Sequence, residues 1–287
     1  MPIETFGKEE FRERGISQLL EIPGPPERVW MKGAFAPSGT KHLAVVGSRA
    51  LSSYGRQACE KLIAGLAGYP VSIVSGLALG ADACAHRAAL AAGLHTLAIP
   101  GSGLDDRVIA PQTNLGLARD ILKSGGALLS EHPPDHPATP WDFPSRNRIM
   151  VGLASAILVI EAGPKSGTLI TARLASEYNR DLLCVPHRIG DPHGFGAHLF
   201  LRLGATLVTE SAHILESLGI ARNEPGSARA VSLSPDEQIL YDLLEEPLAR
   251  DELLRAAGLP IGNALTALVT LELKGAACEE FGAWHRT

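Results

Sequence analysis

The amino-acid sequence predicts an α/β protein with a doubly wound, mostly parallel sheet, followed by a small separate module at its C-terminal end. Three observations indicate this fold. Short apolar runs recur through the middle of the chain, helix-forming stretches rich in Ala, Leu, Lys and Glu lie between them, and the alternation stops near residue 221. Apolar runs of this kind are typical of buried parallel strands, and strands that alternate with helices imply right-handed crossovers.

Six apolar runs are the expected strands of the sheet. They lie at residues 42–47, 71–74, 94–99, 127–129, 156–160 and 182–185. Helix-like sequence follows the first two runs, at 54–67 and at about 80–91. Together these elements predict a Rossmann-like domain over residues 41–220. Sheets of this class bind ligands in the crevice beyond the carboxyl ends of their strands.

The segments on either side of this domain differ from it in composition. Residues 1–40 are charged and proline-rich, and we expect a short leader that packs on the next domain. Residues 221–233 read as a linker, because Pro, Gly and polar residues replace the apolar pattern. Residues 234–287 open with Ser234 and Pro235, which are favourable residues at a helix start, and two further helical stretches and a short wing follow. This order predicts a winged-helix-like domain.

Charge is unevenly distributed along the chain. The 287 residues carry a formal net charge of -5, and because proteins that bind phosphates are usually basic, this total argues mildly against a nucleic-acid ligand. Residues 41–220 hold 15 Lys and Arg against 14 Asp and Glu, a net charge of +1, whereas residues 234–287 hold 4 against 10, a net charge of -6. We therefore expect any anion site in the central domain. No signal peptide opens the chain and no apolar run is long enough for a membrane span, so a cytoplasmic protein is expected.

Small, polar and basic residues follow the expected strands. Glycines in such loops let a ligand approach the backbone, and the helix N-termini beyond them offer N–H donors to anions. We expect four cations to converge on one rim of the sheet and bind phosphates: Arg49, Arg146, Arg148 and Lys165.

The motifs of other nucleotide-binding and catalytic sites are incomplete or absent. Gly101-x-Gly103 lacks the third glycine of a dinucleotide fingerprint. Neither a Walker A motif nor a nucleophile elbow is present.

Taken together, these loops resemble one family. The segments Gly47-Ser48-Arg49, Ser75-Gly76-Leu77-Ala78-x-Gly80, Gly103-Leu104-Asp105, Ser130-Glu131-x-Pro133-Pro134, Phe143-Pro144-x-Arg146-Asn147-Arg148 and Glu161-Ala162-x-x-Lys165-Ser166-Gly167-Thr168-Leu169-x-Thr171-Ala172 resemble the DprA (Smf) family pattern in order and spacing. The resemblance implies an extended Rossmann fold that binds single-stranded DNA without catalysis and without a cofactor. It also implies a homodimer that contacts the RecA recombinase and acts in natural transformation.

The resemblance and the strand-end loops together define the candidate single-stranded DNA-binding residues. We predict no catalytic residue and no metal ligand, and we regard the histidines of residues 187–198 as loop residues rather than a metal site. Trp141 and Phe143 are candidate stacking partners for bases. The candidate DNA-binding residues are Gly47, Ser48, Arg49, Ser75, Gly76, Arg146, Asn147, Arg148, Lys165, Ser166, Gly167 and Thr168.

Structural interpretations of single residues stay open. Arg146 or Arg148 can instead pair with Glu161 or Asp142 inside the fold, and Asp82 can cap a helix. His187 and His198 stand where the family usually has glycine and asparagine. We expect residues 1–40 to be a short leader without the N-terminal helical, SAM-like domain of longer family members. The expected recognition helix of the winged-helix domain has no Lys or Arg before Lys274, so protein contact fits this domain better than groove binding.

The main functional prediction is a single-stranded DNA-binding recombination mediator that protects incoming strands and loads RecA. The alternative is a nucleotide-binding sensor of the wider Rossmann-like group that joins Smf to the LOG-type phosphoribohydrolases. A pure interaction scaffold explains the acidic C-terminal module but gives the basic loops no role. The chain lacks the P-G-G-x-G-T pattern of the nucleotide-cleaving enzymes, which argues against hydrolysis.

Overall fold

A nine-stranded sheet forms the centre of the first of two units in the computed structural model. The structure describes residues 1–164, 166–221, 233–280 and 282–286. The first unit is Met1–Arg222 and the second is Asn223–Thr287. Most of the expected linker, residues 222–232, lies outside the described residues.

The strands of the sheet follow the order β1-β2-β6-β5-β4-β3-β7-β8-β9. The strands from β3 to β9 are parallel to one another, whereas β2 pairs antiparallel with both β1 and β6. The strands are β1 (Ile3–Gly7), β2 (Arg28–Gly33), β3 (Lys41–Val46), β4 (Val71–Ser75), β5 (His95–Ala98), β6 (Ala127–Ser130), β7 (Ala156–Val159), β8 (Asp181–Cys184) and β9 (Thr206–Leu207). The predicted doubly wound, mostly parallel fold is confirmed, and β1, β2 and β9 are additions to the six predicted strands.

Helices cover both faces of the sheet, because side chains of the central strands alternate between two apolar cores. In β3, Leu43 and Val45 pack into the core on one face, and Ala44 and Val46 pack into the core on the other. The first core includes α1 (Ser53–Ala64), α2 (Ala81–Ala91) and α7 (Ser211–Ser217), and the second includes α4 (Asp142–Leu153), α5 (Thr168–Glu177) and α6 (Phe195–Arg202). A further helix, α3 (Leu115–Lys123), packs against β5 and β6.

Residues 1–40 do more than pack on the neighbouring domain as a leader. They add β1 and β2 to the sheet, and Trp30 of β2 pairs with Ser130 of β6. Phe6, Val29 and Met31 are buried in the same core as the central strands. The alternation of buried and exposed residues in Arg28–Gly33 is typical of a strand with one face on a core, and it explains why this segment joins the sheet.

The second unit has the predicted winged-helix order of elements. A capping box opens its first helix: the Ser234 Oγ accepts a hydrogen bond from the Glu237 backbone N–H at 3.3 Å, and the Glu237 carboxylate accepts one from the Ser234 N–H at 2.8 Å. Leu240, Leu268 and Trp284 lie in its core. The elements are α8 (Pro235–Leu243), β10 (Leu248–Ala249), α9 (Arg250–Ala256), α10 (Ile261–Leu273), β11 (Ala277–Glu280) and β12 (Ala283–Arg286).

Over the parts of the chain that the structure describes, none of the helices combines the length and apolar character needed to cross a membrane.

Candidate nucleic-acid interface

A crevice of about 960 Å³ opens beyond the carboxyl ends of β3 and β7. The strand order reverses between these two neighbours, since the chain continues from β3 to β4 on one side and from β7 to β8 on the other. The loops that leave them therefore diverge, and the gap is the place where doubly wound sheets bind ligands. The candidate residues that line it are Gly47, Ser48, Arg49, Arg146, Asn147, Ser166, Gly167 and Thr168.

Arg49 supplies an exposed positive charge at this crevice. Its guanidinium carbon lies 5.2 Å from the centre of the Phe143 ring, which is a cation–π distance. Among the described residues, no carboxylate lies within ion-pair distance of Arg49. The charge is thus held over an aromatic ring and remains open to an anion from outside the protein.

The loop that carries Arg49 is held by close backbone contacts with the start of α2. The Ala81 N–H donates a hydrogen bond to the Ser48 carbonyl oxygen at 3.0 Å. Gly80 has a φ of +71°, and a Cβ atom there would lie 2.2 Å from the same oxygen, so this position requires glycine. Gly47 is also tightly packed, because a Cβ atom added at this position would lie 2.7 Å from the Cβ of Ala81. These contacts fix the direction in which Ser48 and Arg49 leave the sheet.

The opposite wall of the crevice is formed by the start of α5. The Ser166 Oγ accepts a hydrogen bond from the Thr168 N–H at 3.2 Å and lies 2.9 Å from the Thr168 Oγ1. A helix N-terminus carries a partial positive charge, and hydroxyl groups at it are suitable donors to a phosphate. Lys165, the remaining cation of this loop, lies outside the described residues.

Arg146 has a different position from the one its sequence pattern suggests. It is only 5 % exposed, and its Nη1 donates to the carbonyl oxygens of Gly76 and Ile99. Burial lowers the pKa of Arg146 to about 10, against the opposing attraction of the Asp82 carboxylate. Asp82 in turn accepts hydrogen bonds from the N–H groups of Gly76 and Ala78, at 3.1 and 3.2 Å. Arg146 therefore forms part of the crevice floor and holds the loop after β4.

Arg148 does not line the crevice. It follows Arg146 by two residues on α4, which turns its side chain towards the other side of the helix. There it forms an ion pair with Glu131, and the two side chains are 23 % and 15 % exposed. Its partner is neither Glu161 nor Asp142, the two acids considered from the sequence. We expected four cations to converge on this crevice. Among the described residues, two of the four line it: Arg49 at its surface and Arg146 beneath it.

Two other candidate DNA-binding residues, Ser75 and Gly76, contact only groups of the protein itself in the structure. Ser75 is fully buried, and its Oγ donates to the Val45 carbonyl oxygen at 2.7 Å. Gly76 lies against the Arg146 guanidinium, and a Cβ atom at Gly76 would be 2.2 Å from the Arg146 Nη1. Neither residue lines the crevice, although both position residues that do.

A buried acid that sequence reasoning left outside the candidate list organises the crevice from below. Glu161, two residues beyond the end of β7, is 0 % exposed and accepts hydrogen bonds from the Ser52 N–H and Oγ. His193 Nδ1 lies 3.3 Å from the same carboxylate. Ser52 is also the N-cap of α1, where its Oγ accepts from the Gly55 N–H at 3.0 Å. The sequence placed Glu161 after a strand and in the family pattern, but it suggested an arginine as the partner, whereas the structure shows Ser52 and His193.

The two histidines at unusual family positions contact each other rather than the crevice. His198 Nε2 lies 3.0 Å from the His187 carbonyl oxygen and 3.3 Å from its backbone nitrogen. The His187 ring also contacts Tyr54 at 5.2 Å between ring centres. Neither histidine lines the crevice, so their side chains leave its walls unchanged.

The fold defines an α/β protein of the Rossmann type, with a crevice where its strand order reverses and a winged-helix domain that follows it in the chain. Comparison with family models agrees with this class. Residues 4–219 match the DNA recombination-mediator protein A model, and residues 224–282 match the DprA winged helix domain. The chain belongs to the DprA family, and the resemblance found in the sequence is confirmed.

Individual relatives support the same assignment. Protein Smf of Escherichia coli (strain K12) is 39% identical over 267 residues, which are 90% of this chain and 71% of that protein. The DNA processing protein DprA of Streptococcus pneumoniae is 41% identical over 197 residues, 69% of this chain and 68% of that protein.

Two solved structures have a similar fold. The X-ray structure of Streptococcus pneumoniae DprA has a TM-score of 0.69 at 36% identity and covers 75% of this chain and 74% of its own. A structure of DNA processing protein A from Helicobacter pylori has a TM-score of 0.65 at 26% identity. It is described as giving insights into the single-stranded DNA binding mode of that protein. It covers 76% of this chain and 96% of its own.

Proposed function

We propose that the protein binds single-stranded DNA in the crevice between β3 and β7, without catalysis, and passes the strand to the RecA recombinase during natural transformation. The observation that carries the proposal is the exposed guanidinium of Arg49 above the Phe143 ring. A single strand offers phosphates and unstacked bases side by side, so an adjacent cation and aromatic ring suit it.

In this proposal each of the two walls of the crevice contacts a different phosphate of the strand. Arg49 binds one phosphate, and the hydroxyl groups of Ser166 and Thr168 at the start of α5 bind the next. Lys165 is proposed as the second cation, because Pro164 and Ser166 on either side of it along the chain both line the crevice. Asn147 contributes an amide, and Arg146 acts as a positioning residue for the floor. Arg148, Ser75 and Gly76 support the site from outside its lining.

Family membership supports the strand-binding part of the proposal. The Helicobacter pylori relative is described in terms of its single-stranded DNA binding mode, and the family description names a recombination mediator. Binding without hydrolysis is supported by Glu161, because this carboxylate is buried and already occupied by Ser52 and His193.

The partners expected from the family belong to the proposal as well. We propose that the protein acts as a homodimer in the cytoplasm, where RecA assembles on DNA. Exposed apolar side chains beside β9 support a protein contact at that edge of the sheet, and they include Leu199, Leu203 and Leu207. A row of unpaired backbone groups at an edge strand is suited to association with another chain.

Binding of a labelled single-stranded oligonucleotide, followed by fluorescence anisotropy, tests the proposed ligand. We expect salt-sensitive binding. A matched duplex should compete poorly because its bases are stacked and paired, and free dinucleotides should compete poorly because they offer fewer phosphates and bases than a strand. A crevice of about 960 Å³ is also within the size range of small-molecule sites. Binding of a dinucleotide with no binding of the strand would therefore replace the proposal with the nucleotide-sensor alternative.

The RecA step has a separate test. We expect catalytic amounts of the protein to shorten the lag before RecA filaments form on the same oligonucleotide, because a mediator delivers the strand to the recombinase. Filament growth is followed by the increase in light scattering at limiting RecA. A lag that stays the same while the protein is bound to the strand would restrict the function to strand protection.

A further inference from the structure

A second cavity adjoins the crevice. It has a volume of about 890 Å³ and lies between α5 and α6, and we call it the α5–α6 groove. Ser166 and Ile170 line both the groove and the crevice, so the two cavities are continuous over the first turn of α5. From there the groove runs along α5, away from the carboxyl ends of the strands, and it reaches Asp181 at the start of β8.

One side of α5 forms a wall of this groove. Ile170, Arg173 and Glu177 follow one another at intervals of three and four residues, which places them on the same side of the helix. All three line the groove. Arg173 therefore lies about 5 Å along the helix, nearly one turn, beyond the residue that the groove shares with the crevice. A strand that leaves the crevice over the first turn of α5 meets Arg173 next.

Arg173 is exposed and its charge is unpaired. Among the described residues, its side chain forms no hydrogen bond, and no carboxylate lies within ion-pair distance of it. The other arginine of the groove is different, because the Arg180 Nη2 donates to the Gly152 carbonyl oxygen at 3.0 Å and lies 3.4 Å from the Glu21 carboxylate. Arg180 is thus engaged within the protein, whereas Arg173 is open to an anion from outside it.

Apolar surface lies next to this cation. The Ile170 side chain is 45 % exposed and stands between Arg173 and the hydroxyl groups at the start of α5. A nucleotide joins a charged phosphate to a base with an apolar face. An unpaired cation one turn away from an exposed aliphatic side chain therefore offers a contact to each part of a nucleotide.

Two acids limit how far an anion fits into the groove. Glu177 lies one turn beyond Arg173, and Asp181 follows at the start of β8, where it accepts a hydrogen bond from the Ser217 Oγ at 2.9 Å. Like charges repel, so these carboxylates disfavour a phosphate at the far end of the groove. The part that suits an anion is the stretch from Ser166 to Arg173, next to the crevice.

We propose that a strand bound in the crevice continues over the first turn of α5 and that its next nucleotide occupies the α5–α6 groove. In this subsite Arg173 binds the phosphate and Ile170 packs against the base. The subsite rests on the proposed function, because it lengthens the path on which Ser166 and Thr168 bind the preceding phosphate. Its contacts come from α5, whereas the exposed leucines of α6 belong to the proposed protein contact.

The dependence of affinity on strand length tests the subsite. The probes are labelled oligothymidines of about four to about twelve nucleotides, the range of site sizes of single-strand-binding domains, and anisotropy with the full-length chain gives each affinity. Arg173→Ala should lower the affinity for the longest strand by about threefold to tenfold and reduce the slope of log K against log salt by about 0.7. The loss should shrink as the strand is shortened, because a short strand fills the crevice first.

Two further variants separate the charge from the apolar contact. Arg173→Lys keeps the positive charge, so its affinity for the longest strand should stay within about twofold of wild type. Ile170→Ala removes apolar surface without a change of charge. It should lower the affinity by about twofold to fivefold and leave the salt dependence unchanged.

Arg202→Ala provides the control for a general loss of positive charge. Arg202 is an exposed arginine at the end of α6 that lines neither cavity. Its substitution removes the same charge from the same unit and should leave both the affinity and the salt dependence at their wild-type values. All four substituted side chains are exposed, so the variants should melt at the wild-type temperature.

The outcomes distinguish the subsite from the crevice. Equal affinities of wild type and Arg173→Ala for the longest strand, or an equal loss in Arg202→Ala, would overturn the subsite and leave the crevice proposal in place. An altered sedimentation coefficient of Arg173→Ala with unchanged DNA affinity would assign the groove to a protein contact instead. Wild-type protein that binds no strand of any length would refute the proposed function, and the subsite with it.

Discussion

Arg49→Ala is expected to lower the affinity for single-stranded DNA by about tenfold to a hundredfold at low salt. The substitution removes an exposed charge that no described carboxylate neutralises and leaves the Phe143 ring without its cation. Loss of a phosphate contact and of part of a stacking platform corresponds to about 1–3 kcal/mol. Anisotropy titrations at several salt concentrations should also give a smaller salt dependence, by about 0.7 in the slope of log K against log salt.

Arg119→Ala is the matched control for this prediction. Arg119 is also a partly exposed arginine of the same unit, but its charge is paired with Asp106 at 2.9 Å and it does not line the crevice. Both variants should melt at the wild-type temperature, because neither side chain is buried. Equal affinities of wild type and Arg49→Ala would remove the central contact from the proposed interface.

Arg146→Leu is expected to destabilise the Rossmann-like unit by about 3–5 kcal/mol, because the substitution leaves a buried charge without compensation. Asp82 is buried beneath the crevice, and the carbonyl oxygens of Gly76 and Ile99 lose their donor. For a unit of this size, the melting temperature should fall by about 10 °C. Thermal unfolding followed by circular dichroism gives the measurement, and DNA affinity at a temperature where the variant is folded gives the second readout.

Arg148→Leu is the matched control for Arg146→Leu, because it also removes an arginine from α4 but leaves the buried contacts of Arg146 in place. Its ion pair with Glu131 is less deeply buried than Arg146, with side chains 23 % and 15 % exposed, so we expect a smaller loss, of about 1–3 kcal/mol. An Arg146→Leu protein that melts at the wild-type temperature but no longer binds DNA would contradict the positioning role. In that case the side chain would contact the strand directly, as the sequence pattern alone suggests.

The local pattern of the sequence was sufficient for the fold and for the place of the crevice. Strands such as Val71–Ser75 are buried on both faces, and a continuous apolar run is the direct consequence of that burial. The winged-helix unit was equally visible, because Ser234 and the apolar spacing of its helices act within a few residues. Residues 1–40 were harder to interpret, since β2 becomes a strand through its pairing with β6, nearly a hundred residues further along the chain.

By itself, the sequence determined the six central strands, most of the helices and the loops that leave the carboxyl ends of those strands, because burial periodicity and turn residues act locally. Only the tertiary structure decided what each charged side chain does. Arg49, Arg146 and Arg148 look alike in the family pattern, yet one is exposed over Phe143, one is buried against carbonyl oxygens of two distant loops, and one is paired with Glu131. The role of a charge or a ligand depends on the partners around it, and long-range packing supplies those partners.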